Sequence, residues 1–191
     1  MSSGSGWLDP SRFPFCRTLE AGFPTILEEL ERLIALKVWS VWGAAHYARR
    51  IERMSIDDIR ATLESQQTRI GEDQDPGWRV FALTLMGRPF ERNCALCPRT
   101  ADVLKAIPGL TTAAFTCMEA GYRTPAHTGT FPVYRSHLGL IVPDGDCALS
   151  VDGEPRRWEP GRVLMFDDRH VHEAWNLAAA HRYILIVDVA P

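Results

Sequence analysis

The sequence has no long hydrophobic run and no large excess of charge of one sign. No apolar stretch approaches the roughly 20 residues that a helix needs to cross a bilayer. A net charge of -3 gives no reason to expect nucleic acid or an anionic membrane as a partner. The first residues, MSSGSGW, lack both the basic and the apolar region of a secretory signal. We therefore expect a cytoplasmic protein, with neither nucleic acid nor a membrane among its partners.

Cysteines are few and their number is odd. The five are Cys16, Cys94, Cys97, Cys117 and Cys147. Without a signal sequence, this scattered set indicates a reducing compartment and free thiols. Cys94 and Cys97 form a single C-x-x-C motif, but the sequence offers no second ligand pair for structural zinc and no thioredoxin-like βαβ context. We interpret them as two ordinary thiols before a helix.

The first third of the chain is predicted to be helical. Residues 1–22 are expected to be irregular, with Trp7, Phe13 and Phe15 on the surface. A helix is predicted to begin at Phe23-Pro24, because proline suits the first turn and the apolar residues that follow recur at intervals of three and four. Residues 43–53 are a further helical candidate, and Ser55 is the predicted N-cap of a third helix.

The rest of the chain is predicted to be rich in strands. Strands are expected over Trp78–Met86 and Ala113–Met118, separated by a short helix that Thr100 caps. From residue 127 the β-type runs FPVYRSHLGLIV, CALSV, RVLMF and RYILIV alternate with Gly and Pro turns. At 191 residues and 21.5 kDa the chain fits one domain. The pattern predicts an α+β fold with a mainly β sandwich core, in which residues 1–70 form a helical layer and residues 78–191 the core.

Histidines are concentrated in the strand-rich segment. Five of the six lie between residues 127 and 188, whereas His46 is alone and is interpreted as structural or exposed. His127 and His172 are the candidate metal ligands, since imidazole suits iron, zinc, copper or nickel. An H-x-D/E iron motif would place a carboxylate two residues after His127, but Gly129 stands there. His170 and His181 are expected to be hydrogen-bonded or exposed, with His170 the weaker candidate ligand.

Several spaced motifs occur in a fixed order. They are HTG, R-x-H-L-G-L-x-V-P, W-x-x-G-x-V-x-x-F-D-D, H-E-x-W and R-x-x-L-I-V-D-V. Together they resemble the aspartyl/asparaginyl β-hydroxylase family over about residues 115–189, with a weaker match through Trp78–Gly87 and residues 97–100. The resemblance implies a double-stranded β-helix, also called a jelly-roll or cupin-like fold, flanked by the N-terminal helices. It also implies an oxygenase that depends on Fe(II), 2-oxoglutarate and O2.

The resemblance also assigns roles to residues of this chain. His127 and His172 match the two iron ligands at the catalytic centre, and the family likewise lacks a carboxylate at the position of Gly129. The cosubstrate-binding positions match Trp78, Thr116, Arg135, His137 and Arg182. Of these, Arg182 corresponds to the arginine that takes the remote carboxylate of 2-oxoglutarate, for which a guanidinium is well suited. The alternative for Arg182 is a surface salt bridge with Asp188 or Glu173.

The implied reaction is hydroxylation of an unactivated C–H bond, with release of succinate and CO2. Family members that act on aspartyl side chains carry an arginine where this chain has Val133. We therefore place a small amino acid or amino-acid-derived metabolite first as substrate, free or bound to a carrier or peptide. A peptidyl aspartate or asparagine comes second and a lipid acyl chain third.

The sequence leaves three alternatives open. A halogenating enzyme could hold a halide at the position without a carboxylate. A cupin-like binding protein could hold a metal without turnover, and a zinc enzyme could use His127, His170 and His172. The other motif residues are interpreted as structural. Trp158 and Trp175 are expected to pack in the core, and the Phe166-Asp167-Asp168 turn is expected to form hydrogen bonds to the backbone or to a ligand histidine.

Overall fold

The computed structural model describes residues 5–41, 55–65, 69–70 and 77–191. The helices are α1 (Pro14–Ile34), α2 (Ile56–Ser65), α3 (Glu91–Leu96) and α4 (Pro98–Lys105), with a 3-10 turn at Pro10–Arg12. The strands are β1 (Trp7–Leu8), β2 (Ser40–Val41), β3 (Trp78–Leu85), β4 (Arg88–Pro89), β5 (Leu110–Met118), β6 (Tyr122–Arg123), β7 (Tyr134–Ile141), β8 (Cys147–Val151), β9 (Glu154–Arg156), β10 (Val163–Asp167), β11 (His172–Asn176) and β12 (Arg182–Val189). The helical candidate at residues 43–53, with His46, lies outside the described residues.

The strands form two antiparallel sheets. The larger sheet has the order β1-β10-β7-β12-β5-β3-β2, with β4 beside β3, and the smaller sheet has the order β6-β11-β8-β9. Strands distant in sequence are neighbours in both sheets, as in a jelly roll. The predicted α+β fold with a double-stranded β-helix core is confirmed. β1 and β2 join the larger sheet, so the first 70 residues contribute strands as well as helices.

Alternation along β12 separates the two faces of the larger sheet. Leu185 and Val187 belong to the core that α1 covers, whereas Ile184 and Ile186 belong to the core between the sheets. Residues opposite one another across paired strands share a face. His137 lies opposite Ile186 on that inner face. Polar residues of β7 and β12 are therefore carried into the space between the sheets.

The N-terminal segment differs from its prediction. Residues 1–22 are not wholly irregular, because β1 pairs with β10 and α1 already begins at Pro14. Trp7 and Phe15 are buried rather than on the surface. The helix start predicted at Phe23-Pro24 is wrong, since Pro24 lies inside α1. Pro14 takes the first-turn position, and buried residues on both sides of Pro24 keep the helix packed on the sheet.

Of the two predicted helix caps, one is wrong and one is confirmed. Thr100 was predicted to cap its helix, but α4 begins at Pro98 and Thr100 lies within it. The carboxylate of Glu29 on α1 instead accepts hydrogen bonds from the backbone N–H groups of Arg99 and Thr100. The predicted N-cap at Ser55 is confirmed, because its hydroxyl accepts the backbone N–H of Asp58. The five cysteines are free thiols, as expected.

The smaller sheet covers only part of the inner face of the larger one. Further along that face, Ile59 and Leu63 of α2 pack near Val80, Ala82 and Ala114. An apolar cleft of about 350 Å³ remains beside this contact. None of the described helices is long and apolar enough to cross a membrane.

Candidate active site

His127 and His172 are held side by side by the backbone. Each donates its N–H to the carbonyl of the other, at 3.0 and 2.8 Å, and their ring centroids are 4.3 Å apart. Nδ1 of His127 lies 2.8 Å from the carbonyl oxygen of Pro125, and Nδ1 of His172 lies 2.9 Å from that of His170. Because a carbonyl only accepts, both protons reside on Nδ1 and both Nε2 atoms carry the lone pair. This tautomer is the one that a metal ligand bonded through Nε2 requires.

Both imidazoles are also kept neutral. Burial lowers the pKa of His172 to about 3, and burial lowers the pKa of His127 as well. The positive charge of Arg135 acts in the same direction on both rings. Protons therefore compete weakly with a metal ion at these two nitrogens.

A carboxylate stands beside the histidine pair, but it does not come from the H-x-D/E position. Oδ1 of Asp168 lies 3.4 Å from Nε2 of His172 and 2.7 Å from a guanidinium nitrogen of Arg135. A Cβ atom at Gly129 would lie 1.7 Å from Oδ2 of Asp168. Only glycine fits there, because Asp168 fills the space that a side chain at residue 129 would occupy. Burial raises the pKa of Asp168 to about 6, although Arg135 opposes this change.

Arg182 is a buried cation without an acidic partner in the described part of the chain. It is 2% exposed, its guanidinium carbon lies 4.5 Å from the ring centroid of Trp158, and its Nε donates to no acceptor there. The alternative of a surface salt bridge is wrong, because Asp188 pairs with Arg135 and Glu173 with Arg123. Burial lowers the pKa of Arg182 to about 10, so the side chain stays charged at neutral pH.

Two further buried polar atoms near Arg182 lack partners. Within the described residues neither Nε2 of His137 nor Oγ1 of Thr116 has a hydrogen-bond partner. Trp78 and His137 line the small cavity that also contains His127, His172 and Arg182. Thr116 is opposite Ile184 of β12 and lines the apolar cleft next to that cavity. Unsatisfied buried donors are costly, so the presence of His137 and Arg182 in one cavity indicates a polar ligand there.

Arg135 is held by two acids. Its guanidinium makes a bidentate contact with Asp188, with both distances 2.8 Å, and a third contact with Asp168. These contacts hold Asp168 beside His172. The contact with the cosubstrate that the sequence assigned to Arg135 remains a prediction, and so do the ligand roles of the other predicted site residues.

The side chains of His170 and His181 make hydrogen bonds away from the pair. Nδ1 of His170 is 2.6 Å from Asp152, and Nδ1 of His181 accepts the backbone N–H of Ala120. Both are thus hydrogen-bonded, as expected. In the described ranges no group of three or more His, Cys, Asp or Glu side chains is arranged as a metal site, which gives a three-histidine zinc centre no support.

Two features of the site were missed by sequence reasoning. Trp158 was interpreted as packing, yet its indole N–H donates to Nδ1 of His137 at 3.3 Å. The apolar cleft was not predicted at all. Its wall includes Val133 and adjoins Asp168 and Arg135. The sequence signal for it was a set of small or β-branched residues on β3 and β5, namely Val80, Ala82 and Ala114. Such patterns are common in any β core.

Comparison with known proteins agrees with the motifs. The model of a family described as Aspartyl/Asparaginyl beta-hydroxylase matches residues 20–191. An ornithine lipid ester-linked acyl 2-hydroxylase from Rhizobium tropici is 36% identical over 94% of this chain and 58% of its own length. Human aspartyl/asparaginyl beta-hydroxylase is 37% identical over 92% of this chain and 22% of its own length.

The chain therefore spans a little over half of the first relative and less than a quarter of the second. Among solved structures, ectoine synthase from P. lautus aligns over 62% of this chain and 68% of its own, with a TM-score of 0.39 and 16% identity. The family model matches nearly the whole chain, and the matched residues span the positions of both histidines of the pair. The chain belongs to the aspartyl/asparaginyl β-hydroxylase family.

Proposed function

We propose that this protein is an oxygenase dependent on Fe(II) and 2-oxoglutarate that hydroxylates an unactivated C–H bond. One atom of O2 enters the new hydroxyl group, and the other enters succinate as 2-oxoglutarate loses CO2. The burial of Arg182 without an acidic partner among the described residues is the observation that carries the proposal. A buried guanidinium without an acid among the described residues has the character of a receptor for a carboxylate.

The residues present fit both implied groups. Nε2 of His127 and Nε2 of His172 would hold the iron, which would supply the activation of O2. Arg182 would pair with the remote carboxylate of 2-oxoglutarate, while His137 Nε2 and the hydroxyl of Thr116 are donors close at hand. Asp168, fixed by Arg135, is placed to accept a hydrogen bond from water near the histidines.

The alternatives have less support. A binding protein without turnover would be favoured if Arg135, His137 or Arg182 faced solvent, but none of the three is exposed. A halide in place of the missing carboxylate would have to lie beside Asp168, whose carboxylate already fills the space next to Gly129. The negative charges of a halide and of the Asp168 carboxylate would repel each other, so hydroxylation is the better proposal.

The cleft favours an apolar substrate over an amino acid. Its lining is mostly apolar. Val133, which is part of that lining, occupies the place of the arginine that the aspartyl-acting members carry. Arg135 is the one arginine in the described lining, and it is already paired with two aspartates. A substrate carboxylate would find little compensation there, whereas an acyl chain would bury well. The lipid-acting relative from Rhizobium tropici supports the same choice. We therefore propose an acyl chain, the third choice from the sequence, as the substrate.

Succinate formation tests the activity and the substrate together. The Fe(II)-loaded protein would be incubated with 2-oxoglutarate and O2, and either an acylated lipid or an aspartyl peptide. We expect succinate and hydroxylated product with the acylated lipid, and neither with His127→Ala. Product from the aspartyl peptide alone would overturn the choice of substrate. The absence of succinate under every condition would contradict the oxygenase.

A further inference from the structure

Trp158 links the two donors that face the proposed cosubstrate. It is buried, and it lies in the segment between β9 and β10. One edge of its indole contacts His137 and its ring lies under the guanidinium of Arg182. We propose that Trp158 is a positioning residue, which fixes the tautomer of His137 and the orientation of Arg182 for an anionic ligand. The functional part of this inference rests on the proposed binding of 2-oxoglutarate.

The backbone places Trp158 for this contact. Gly139 of β7 donates its N–H to the carbonyl of Arg162 and accepts the N–H of Gly161. A Cβ atom at Gly139 would lie 2.3 Å from the carbonyl oxygen of Glu159. The segment that follows β9 can therefore lie against β7 only because residue 139 is glycine. As a result, the indole of Trp158 is held beside His137, two residues along the same strand.

The hydrogen bond to His137 determines which nitrogen carries its proton. The indole nitrogen of Trp158 is only a donor, so Nδ1 of His137 must be the acceptor and carries no proton. The proton of the neutral ring is then on Nε2, which is buried and lacks an acceptor among the described residues. The neutral form is favoured because burial lowers the pKa of His137 well below its ordinary value, and Arg135 and Arg182 act in the same direction. Trp158 thus turns His137 into a donor directed at the cavity.

The ring of Trp158 also orients the guanidinium of Arg182. In the described structure no carboxylate holds this guanidinium, so the cation–π contact at 4.5 Å is its main orienting interaction. Such contacts are strongest when they are desolvated, as this one is. Without the indole, the long side chain of Arg182 could adopt several rotamers in the cavity. The entropy cost of ordering this side chain would then weaken ligand binding.

The tautomer can be observed directly. The full chain, loaded with diamagnetic Zn(II) and labelled with nitrogen-15 at histidine, would be studied by long-range proton–nitrogen correlation, with His137→Gln to identify the signal. We expect only the Nε2–H form of His137 in the wild type. In Trp158→Phe, which keeps a ring but loses the donor, we expect a mixture of both forms. A purely packing role for Trp158 would not change the tautomer.

Affinity for 2-oxoglutarate gives the functional comparison. In calorimetric titrations of the Zn(II)-loaded protein, we expect Trp158→Phe to weaken binding about tenfold, as for loss of one orienting hydrogen bond. Trp158→Leu, which also removes the ring under Arg182, should weaken it further. Trp175→Phe is the matched control, because Trp175 likewise donates to a side chain, Asp146, and lies under an arginine, Arg123, on the smaller sheet. Its affinity should equal that of the wild type.

The outcomes separate this inference from the proposed function. A wild-type protein that binds no 2-oxoglutarate would contradict the proposed function, while the tautomer comparison would still test Trp158. An Nδ1–H tautomer in the wild type would overturn the positioning role. So would a Trp158→Phe variant with unchanged tautomer and unchanged affinity.

Discussion

We expect Arg182 to destabilise the protein when no ligand is bound, because its charge is buried without a compensating acid in the described structure. Arg182→Met keeps most of the volume and removes the charge. We expect this variant to raise the free energy of unfolding by about 1 kcal/mol or more, since buried charges are often less favourable than apolar residues of similar size. We also expect 2-oxoglutarate binding to fall roughly 100-fold. Urea denaturation and calorimetry measure the two effects.

Arg79 provides the matched control for Arg182. It is also a buried arginine, but it pairs with the buried carboxylate of Glu119 at 3.3 Å. Arg79→Met would leave Glu119 without this pair, so unfolding should become easier by about 3–5 kcal/mol. Equal destabilisation by both substitutions would mean that Arg182 has a structural role, and would contradict its assignment as a ligand-binding residue.

The side chain of Asp168 occupies the space that a side chain at residue 129 would need. Gly129→Asp would force a side chain against the Asp168 carboxylate, and we expect a loss of about 1–3 kcal/mol in unfolding free energy from overpacking. Asp168→Gly should relieve this loss in the double variant, because it removes the obstructing atoms. A double-mutant cycle by chemical denaturation measures the coupling. Additive effects would show that the two side chains do not compete for the space.

At the scale of elements, one carboxylate joins α1 to α4. Glu29 is 1% exposed and accepts hydrogen bonds from Thr100 and Arg99 at the N-terminus of α4. Burial raises the pKa of Glu29, but these hydrogen bonds outweigh it and the pKa lies below its ordinary value of 4.5. Because the folded pKa is the lower one, the stabilisation is present above the unfolded value and is lost as the pH falls through the folded value.

Glu29→Gln should therefore lower the unfolding free energy at neutral pH by about 1–3 kcal/mol, as expected for hydrogen bonds to a charged group. The difference from the wild type should shrink as the solution is acidified below pH 4.5, the ordinary pKa of the side chain. Glu28→Gln is the control, because Glu28 is exposed and its carboxylate forms surface ion pairs with Arg32 and Arg99. Equal losses in both variants, or a difference that does not vary with pH, would contradict this account of Glu29.

The elements also show where sequence reasoning ends. The strands were predictable because alternation and turn residues are local signals, and Ser55 was predictable because its partner is three residues away. The cap of α4 was not, since it comes from Glu29 on another helix. The start of α1 was missed for a similar reason: packing against the larger sheet keeps Pro24 within a helix that local rules would begin there.

At the scale of the molecule, the two sheets bring the proposed metal and cosubstrate groups together, and the apolar cleft adjoins them. The motifs occur in the order typical of the family, and this resemblance predicted which residues would lie together. The cleft was not predictable, because it depends on how far the smaller sheet and α2 extend over the larger one. The contacts of Trp158 were not predictable either, because they depend on the close approach of the segment after β9 to Gly139.

Charge in the cleft should block an acyl substrate. Val133→Arg would place a cation in the apolar wall beside Asp168. We expect turnover of the acylated lipid to fall at least about tenfold, because burying a charge there is unfavourable, while binding of 2-oxoglutarate is retained. Leu96→Arg, at an exposed position on α3 outside the cleft lining, should leave turnover unchanged. Unchanged turnover in Val133→Arg would mean that the substrate does not use the cleft.

The most direct test of the account is the anaerobic addition of 2-oxoglutarate to the Fe(II)-loaded protein, followed by visible spectroscopy. Bidentate binding of 2-oxoglutarate to Fe(II) should give a metal-to-ligand charge-transfer band. We expect the band in the wild type and its loss in both His127→Ala and Arg182→Met. A folded, iron-loaded wild-type protein without the band would contradict the assignment of His127, His172 and Arg182 to a cosubstrate site.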